Sequence, residues 1–227
     1  MGDTGDELTP AAVIAARLGG MRSNPHLADA TTVSLLSPDE CAAVLAHLDQ
    51  GGDGGGDDGG DDDDGWNEMQ VLSSPPDAAH PGTQRSVVMP TVRRGRQRTV
   101  PGGNSGPLAT RITDQVFDVN RRIYDFRLVG VEHPVQLLWY GAESADGYVA
   151  HMDIGPITSL RKLSFSLLLS DPATFDGGDL SFGSPFPLAR GQGTLTIFPS
   201  FLQHAVTPVT RGDRYVIVGF AVGPSFA

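Results

Sequence analysis

Lysine and cysteine each occur once in this 227-residue chain, as Lys162 and Cys41. A lone cysteine excludes an intramolecular disulfide and fits a reducing compartment. Long apolar runs are also missing. The longest, Tyr215 to Val222, falls far short of the roughly 20 residues a membrane helix requires, so no membrane partner is expected. The start, Met1-Gly-Asp-Thr-Gly-Asp-Glu, is acidic and lacks the basic region of a secretory signal, which leads us to expect a cytoplasmic protein. Positive charge is scarce, with 16 Lys and Arg against 27 Asp and Glu. Phosphate neutralisation needs a basic surface, so nucleic acid is not an expected partner. Much of the acidity is local: removing the seven aspartates of residues 51–65 from the formal charge of −11 leaves −4.

What is present reads as one globular domain rich in turns, with 39% hydrophobic residues, 29 Gly and 17 Pro. We divide the chain into an N-terminal extension, 1–30, and a single domain, 31–227. The extension holds one helical run, 10–18, ending at Gly19-Gly20, either packed on the body or frayed from it. The Gly/Asp tract 51–65 has no apolar residue to bury and is expected to be a mobile loop. Calcium-binding glycine-rich repeats are the alternative, but one irregular copy without apolar positions does not make such a repeat.

Val33-Ser-Leu-Leu36 reads as a strand. Ser37-Pro-Asp-Glu40 then has the marks of a helix start: a serine N-cap, proline at the first helical position and glutamate three residues on. Cys41 and His47 on that helix have no partner at a metal-ligand spacing. Residues 66–72 and 85–91 alternate like strands. Residues 93–98, Arg-Arg-Gly-Arg-Gln-Arg, read as a solvated loop, with a basic lid over an acidic substrate as the alternative. Ile112, Val116, Val119 and Ile123 recur at helical spacing over 108–126, the expected supporting helix. Short strands follow at 135–140, 147–153, 162–170, 179–183, 194–198, 203–209 and 213–222, separated by glycine and proline. The fold class is therefore mainly β with flanking helices: a jelly roll of two antiparallel sheets over 135–222 with supporting helices before it.

The chemistry concentrates at His151-Met152-Asp153, His204 and Arg214. Alternate residues of a strand share a face, so His151 and Asp153 would project together. His204 would complete two histidines and one carboxylate, the facial triad of non-haem Fe(II) oxygenases, which leaves coordination positions open. Arg214 lies ten residues beyond His204 on an apolar strand. A guanidinium carried inward there needs an anion, and a dicarboxylic acid supplies one.

Residues 160–224 contain Leu160-Arg-Lys-Leu-Ser-Phe-Ser-Leu-Leu-Leu-Ser-Asp-Pro172, Asp176-Gly-Gly-Asp-Leu180, Gly193-Thr-Leu-Thr-Ile-Phe-Pro-Ser200 and His204-Ala-Val-Thr-Pro-Val-Thr-Arg-Gly-Asp-Arg214. Together with Val135-Gln-Leu-Leu-Trp-Tyr140 and the His-x-Asp pair, this text resembles the 2-oxoglutarate/Fe(II) oxygenases of the prolyl 4-hydroxylase type. The bacterial PKHD-type hydroxylases are the nearest subgroup, and the resemblance covers roughly residues 110–224. It implies a double-stranded β-helix and a dioxygenase using Fe(II), 2-oxoglutarate and O₂, with ascorbate as an optional addition. The products would be succinate, CO₂ and a hydroxylated substrate. His151, Asp153 and His204 would be the metal ligands, and Arg214 the partner of the distal carboxylate of 2-oxoglutarate. Tyr140 and Ser164 stand at positions where such enzymes contact the cosubstrate, and Tyr148 would face the substrate. Leu168 replaces a tyrosine frequent in the family. A carboxylate at 153 favours hydroxylation over halogenation, since halogenases place a small residue there. A free amino acid, a peptidyl residue of the proline type and a secondary-metabolite intermediate are all compatible substrates. A catalytically silent jelly roll that binds a metal or small ligand is the reading of a different class.

Overall fold

The computed structural model describes residues 24–49, 65–73, 85–100, 106–183, 188 and 190–225. The expected helix 10–18 and the Gly/Asp tract, Gly65 apart, lie outside these residues.

Before the first glycine-rich tract come strand β1 (Thr31–Ser34) and helix α1 (Pro38–Asp49). The capping box forms as read: Ser37 N–H donates to Glu40 Oε2 at 2.7 Å, and Glu40 N–H donates to Ser37 Oγ at 3.2 Å. Five short strands follow, β2 (Asn67–Glu68), β3 (Val71–Ser73), β4 (Arg85–Val87), β5 (Arg93–Arg94) and β6 (Arg96–Thr99). Helix α2 (Pro107–Val119) ends in a π-turn, Asn120–Tyr124. There Asn120 brackets the exit, its side chain accepting from Phe126 N–H and donating to Phe126 C=O. The rest is β: β7 (Gly130–Gly141), β8 (Gly147–His151), β9 (Arg161–Leu168), β10 (Asp176–Gly177), β11 (Leu180–Ser181), β12 (Thr194–Pro199), β13 (His204–Val206), β14 (Val209–Arg211) and β15 (Asp213–Val222).

Two antiparallel sheets face each other. The major sheet runs β1-β12-β9-β15-β7-β6-β2 and the minor sheet β11-β13-β8-β5, with two-stranded pairs β10-β14 and β3-β4 beside them. Strict alternation gives the major sheet two different faces. Leu137, Leu163, Phe165, Leu167, Leu195, Ile197 and Ile217 form the outer core with Ile112, Val116 and Val119 of α2, so the helix supports the sheet from outside as its periodicity implied. The opposite face turns Tyr140, Ser164, Ser166, Leu168, Thr196, Arg214 and Val216 toward the cleft between the sheets. A small inner core, including Met69, Leu138, Phe175, Val206 and Val209, closes one end.

The structure corrects the reading of residues 93–98. These are strands rather than a solvated loop: Arg93 pairs with Tyr148 on the minor sheet, and Arg96 to Thr99 pair with Trp139 to Gln136 on the major sheet. The ribbon changes sheets at Gly95, whose φ of 140° and contact with the Trp139 carbonyl leave no room for a Cβ. Arginine stems can line a sheet when the guanidinium finds aromatic faces, and Arg93, Arg96 and Arg98 lie over Tyr148, Trp139 and Trp66. Boundaries differ elsewhere too. The expected 203–209 strand divides into β13 and β14, and the 147–153 strand stops at His151.

One joint ties the N-terminal part to the barrel. Gly193 has φ 74°; its carbonyl accepts from Leu35 N–H and Leu36 N–H, and its N–H donates to Leu168 C=O. A Cβ there would collide with the Leu36 backbone. We predict that Gly193→Ala costs about 1–3 kcal/mol. At this chain length that lowers the melting temperature by very roughly 2–12 °C. An unchanged melting temperature by calorimetry would show that the joint carries no strain.

Candidate active site

Strands β8 and β13 are antiparallel neighbours, and His204 sits directly opposite His151 in their register. Sheet pairing alone thus brings the two imidazoles together, with ring centroids 4.2 Å apart. Asp153 arrives differently from the strand alternation expected of it. It lies beyond the end of β8, where its N–H donates to the Ser200 carbonyl at 2.9 Å. This bond to the segment after β12 fixes the turn and aims the carboxylate at both histidines. His151 Nε2 lies 3.6 Å from Asp153 Oδ1 and His204 Nε2 lies 3.4 Å from Oδ2. One ligand atom from each residue falls within 4.8 Å of the others, the only such His/Cys/Asp/Glu cluster among the described residues.

The imidazole tautomers follow from their other nitrogens. His151 Nδ1 is 2.9 Å from Val149 C=O, and His204 Nδ1 is 2.9 Å from Leu202 C=O. A carbonyl can only accept, so both Nδ1 atoms carry hydrogen and both Nε2 lone pairs face Asp153. Oriented, neutral imidazoles with a carboxylate are the donor set that Fe(II) takes in facial-triad sites, and the outer hydrogen bonds are those of a metal site. Burial pushes the His204 imidazole below its ordinary pKa, only partly offset by the Asp153 charge. For Asp153, burial acts upward, but the neighbouring His151 and His204 rings, when protonated, and the Ser164 hydroxyl outweigh it and hold the carboxyl below its usual value. Both directions keep the cluster in its metal-binding protonation state.

Ser164 meets the His-Asp-His cluster directly. Its hydroxyl donates to Asp153 Oδ2 at 2.6 Å, so its proton is committed there. Ser200 Oγ, 3.0 Å away and fully buried, is then left as donor to Ser164 Oγ. Ser200 escaped the sequence reading; its only signal was its place at the end of the Gly193–Ser200 run. Aromatic walls complete the surroundings. Tyr148 stacks on His151 with centroids 3.5 Å apart, and Phe198 meets His204 edge-on at 4.7 Å.

Arg214 lies in the same cleft, of about 590 Å³, as the cluster. It is buried, its guanidinium lies 5.4 Å from the Tyr140 ring, and Nη1 has no hydrogen-bond partner. Burial depresses its pKa to about 10, with a small opposing effect from Tyr140. Gly178 makes room for the stem, since a Cβ there would lie 2.6 Å from Arg214 Cδ. Ser166 and Thr196, paired across β9 and β12, line the pocket at Arg214 together with Leu168. Asp179 and Arg190, ion-paired with each other at 3.2 Å, line the same pocket. Counting alternate residues back from Leu168 would have found Ser166. An orphaned, buried guanidinium nitrogen facing a cavity with hydroxyls fits a carboxylate such as that of 2-oxoglutarate.

Comparison with known proteins agrees with this geometry. Residues 135–222 match the family model of the 2OG-Fe(II) oxygenase superfamily. A PKHD-type hydroxylase of Hyphomonas neptunium is 39% identical over 83 residues, covering 33% of this chain and 37% of the relative. One of Synechococcus sp. (strain CC9605) is 36% identical over 106 residues, covering 43% and 46%. The chain thus matches less than half the length of these relatives. Among solved structures, a Pseudomonas putida prolyl-4-hydroxylase superposes with a TM-score of 0.57 at 16% identity, covering 94% of this chain and 98% of the other. A Trichoplax adhaerens prolyl hydroxylase, in complex with a hypoxia inducible factor oxygen degradation domain peptide fragment, superposes with a TM-score of 0.59 at 16% identity, covering 92% and 87%. The resemblance read from the sequence holds, and the fold is the double-stranded β-helix of these proteins.

Proposed function

We propose, on the premise of a 2-oxoglutarate/Fe(II) oxygenase core at residues 135–222, that the protein hydroxylates an unactivated C–H bond and releases succinate and CO₂. The substrate is an amino acid, a peptidyl residue of the proline type or a secondary-metabolite intermediate. Relatives named PKHD-type hydroxylase and a structural neighbour holding a peptide support that range. Residues 31–227 act as one oxygenase domain in the cytoplasm; no helix among the described residues is long and apolar enough to cross a membrane.

The observation that carries the proposal is the pairing of two features in one cleft: a His-Asp-His cluster and a buried arginine with an unpartnered nitrogen. His151, Asp153 and His204 would hold Fe(II), and Arg214 would take the distal carboxylate of 2-oxoglutarate by charge-assisted hydrogen bonds. When bound, Fe(II) with 2-oxoglutarate and O₂ supplies the oxidising power for insertion of oxygen into the C–H bond. The chain's own part is positioning. The Val149 and Leu202 carbonyls fix the imidazole rings, Ser164 and Ser200 steady one carboxylate oxygen, and the stacked Tyr148 shields His151 from water. Tyr140, almost fully buried beneath Arg214, sets the height of the guanidinium above the cavity floor.

The test is turnover of 2-oxoglutarate. Protein loaded with Fe(II) should form succinate under O₂, faster when a substrate is present and not at all when iron is chelated. Metal binding without any succinate would place the protein among silent metal-binding jelly rolls instead.

A further inference from the structure

Two arginines of this fold fill the Nε/Nη2 edge of the guanidinium with a carboxylate. Arg161 gives Nε and Nη2 to the two oxygens of Glu132, both at 2.8 Å. Arg211 does the same with Asp176, at 2.6 and 3.2 Å. This is the edge of a guanidinium that binds a carboxylate through two parallel bonds.

Among the described residues, Arg93 has no carboxylate on that edge. Its Nη1 donates to the Gln70 carbonyl at 3.0 Å, which holds the group in place and leaves Nε and Nη2. Nε is buried from solvent without a hydrogen-bond partner. Among the described residues no carboxylate pairs with Arg93, although it is partly buried and lines the cleft that contains the His-Asp-His cluster. Its guanidinium lies 4.9 Å from the Tyr148 ring, and Tyr148 is stacked on His151. The fork therefore stands one aromatic ring away from a histidine of the cluster, on the minor sheet, while Arg214 stands on the major sheet. Past the sheet switch at Gly95, Gln97 lines the same cleft, and its Oε1 is also buried without a donor.

We infer that Arg93 is a specificity-determining residue that grips a carboxylate of the substrate, and that Gln97 accepts a hydrogen bond from an N–H of the same molecule. The substrate is then an amino acid, free or N-acylated, with its acid group exposed. The inference rests on the oxygenase reading for its chemistry, but the binding of an acid at Arg93 does not. A buried Nε donor and a buried Gln97 acceptor, both unpaired, are costly in the free protein and are relieved together by a ligand with complementary groups.

The experiment uses a panel of the twenty amino acids, their N-acetyl forms and the carboxamide of each. Thermal shifts are recorded with Fe(II) and 2-oxoglutarate under argon and again without them, and succinate release is followed under O₂. The expected result is that at least one acid stabilises the protein and speeds succinate release, with its carboxamide at least about tenfold weaker. Arg93→Met should erase this acid preference while leaving the affinity for 2-oxoglutarate unchanged, and Arg93→Lys should retain part of it. Carboxamides as good as acids, a preference that survives Arg93→Met, or a panel without any stabilising acid would overturn the inference. Failure of wild-type protein to bind iron and 2-oxoglutarate would strike the oxygenase reading alone, because the iron-free shifts still decide Arg93.

Discussion

Alanine at His151 or at His204 is expected to abolish tight Fe(II) binding and succinate formation together. Each ring contributes one Nε2 lone pair pre-aimed by a carbonyl on its Nδ1, so neither can substitute for the other. The fold should survive at His151, a partly buried strand end, and this makes it the cleaner variant; His204 is buried against Phe198 and loses more packing. Equilibrium dialysis against Fe(II) with circular dichroism as a control separates the two effects. Full iron occupancy in both variants would sink the ligand assignment. Acid should act in the same direction as the mutations. Protons compete with iron for the His204 imidazole, so affinity falls as pH drops through its lowered value, below the ordinary 6.5. In the iron-free protein the depressed values of His204 and Asp153 mean that the unfolded chain binds more protons. Stability is therefore present above those unfolded values and is lost as pH falls, a slope that melting temperatures across pH can check.

Arg214→Met should weaken 2-oxoglutarate binding by about 2–5 kcal/mol, the cost of leaving one member of a buried charge pair without its partner. That corresponds to roughly 30-fold to several-thousandfold in affinity. Arg214→Lys keeps a charge but not the fork, and its flexible stem would have to thread past Gly178, so an intermediate loss is expected. Iron affinity should hardly move in either variant, since the arginine is no ligand. Anaerobic titration of the metal-to-ligand charge-transfer band with 2-oxoglutarate gives both numbers from one sample. An unchanged affinity in Arg214→Met would mean that the buried guanidinium serves another anion, and the reading would rest on the cluster alone.

Much of this was legible in the linear chain because it depends on properties that are local. The Ser37–Glu40 capping box closes within four residues, and the apolar period of Ile112, Val116 and Val119 faces whatever lies inside, whatever that is. The strand series could be read from turn residues and two-residue alternation, and His151, Asp153, His204 and Arg214 from their types and order. Tertiary structure decided the rest, for one physical reason: it alone chooses between partners that lie far apart in sequence. Asp153 reaches the histidines through a bond to Ser200, not through the alternation of a strand it no longer belongs to. The Ser164 hydroxyl could have met a cosubstrate, a backbone group or a carboxylate, and the packing of β9 against the turn after β8 selected Asp153. Arg93 to Arg98 look solvated to any reading that prices each charge alone. Only the pairing of that ribbon with two sheets at once, over Tyr148, Trp139 and Trp66, shows where their stems are covered and which guanidinium is left with an open edge.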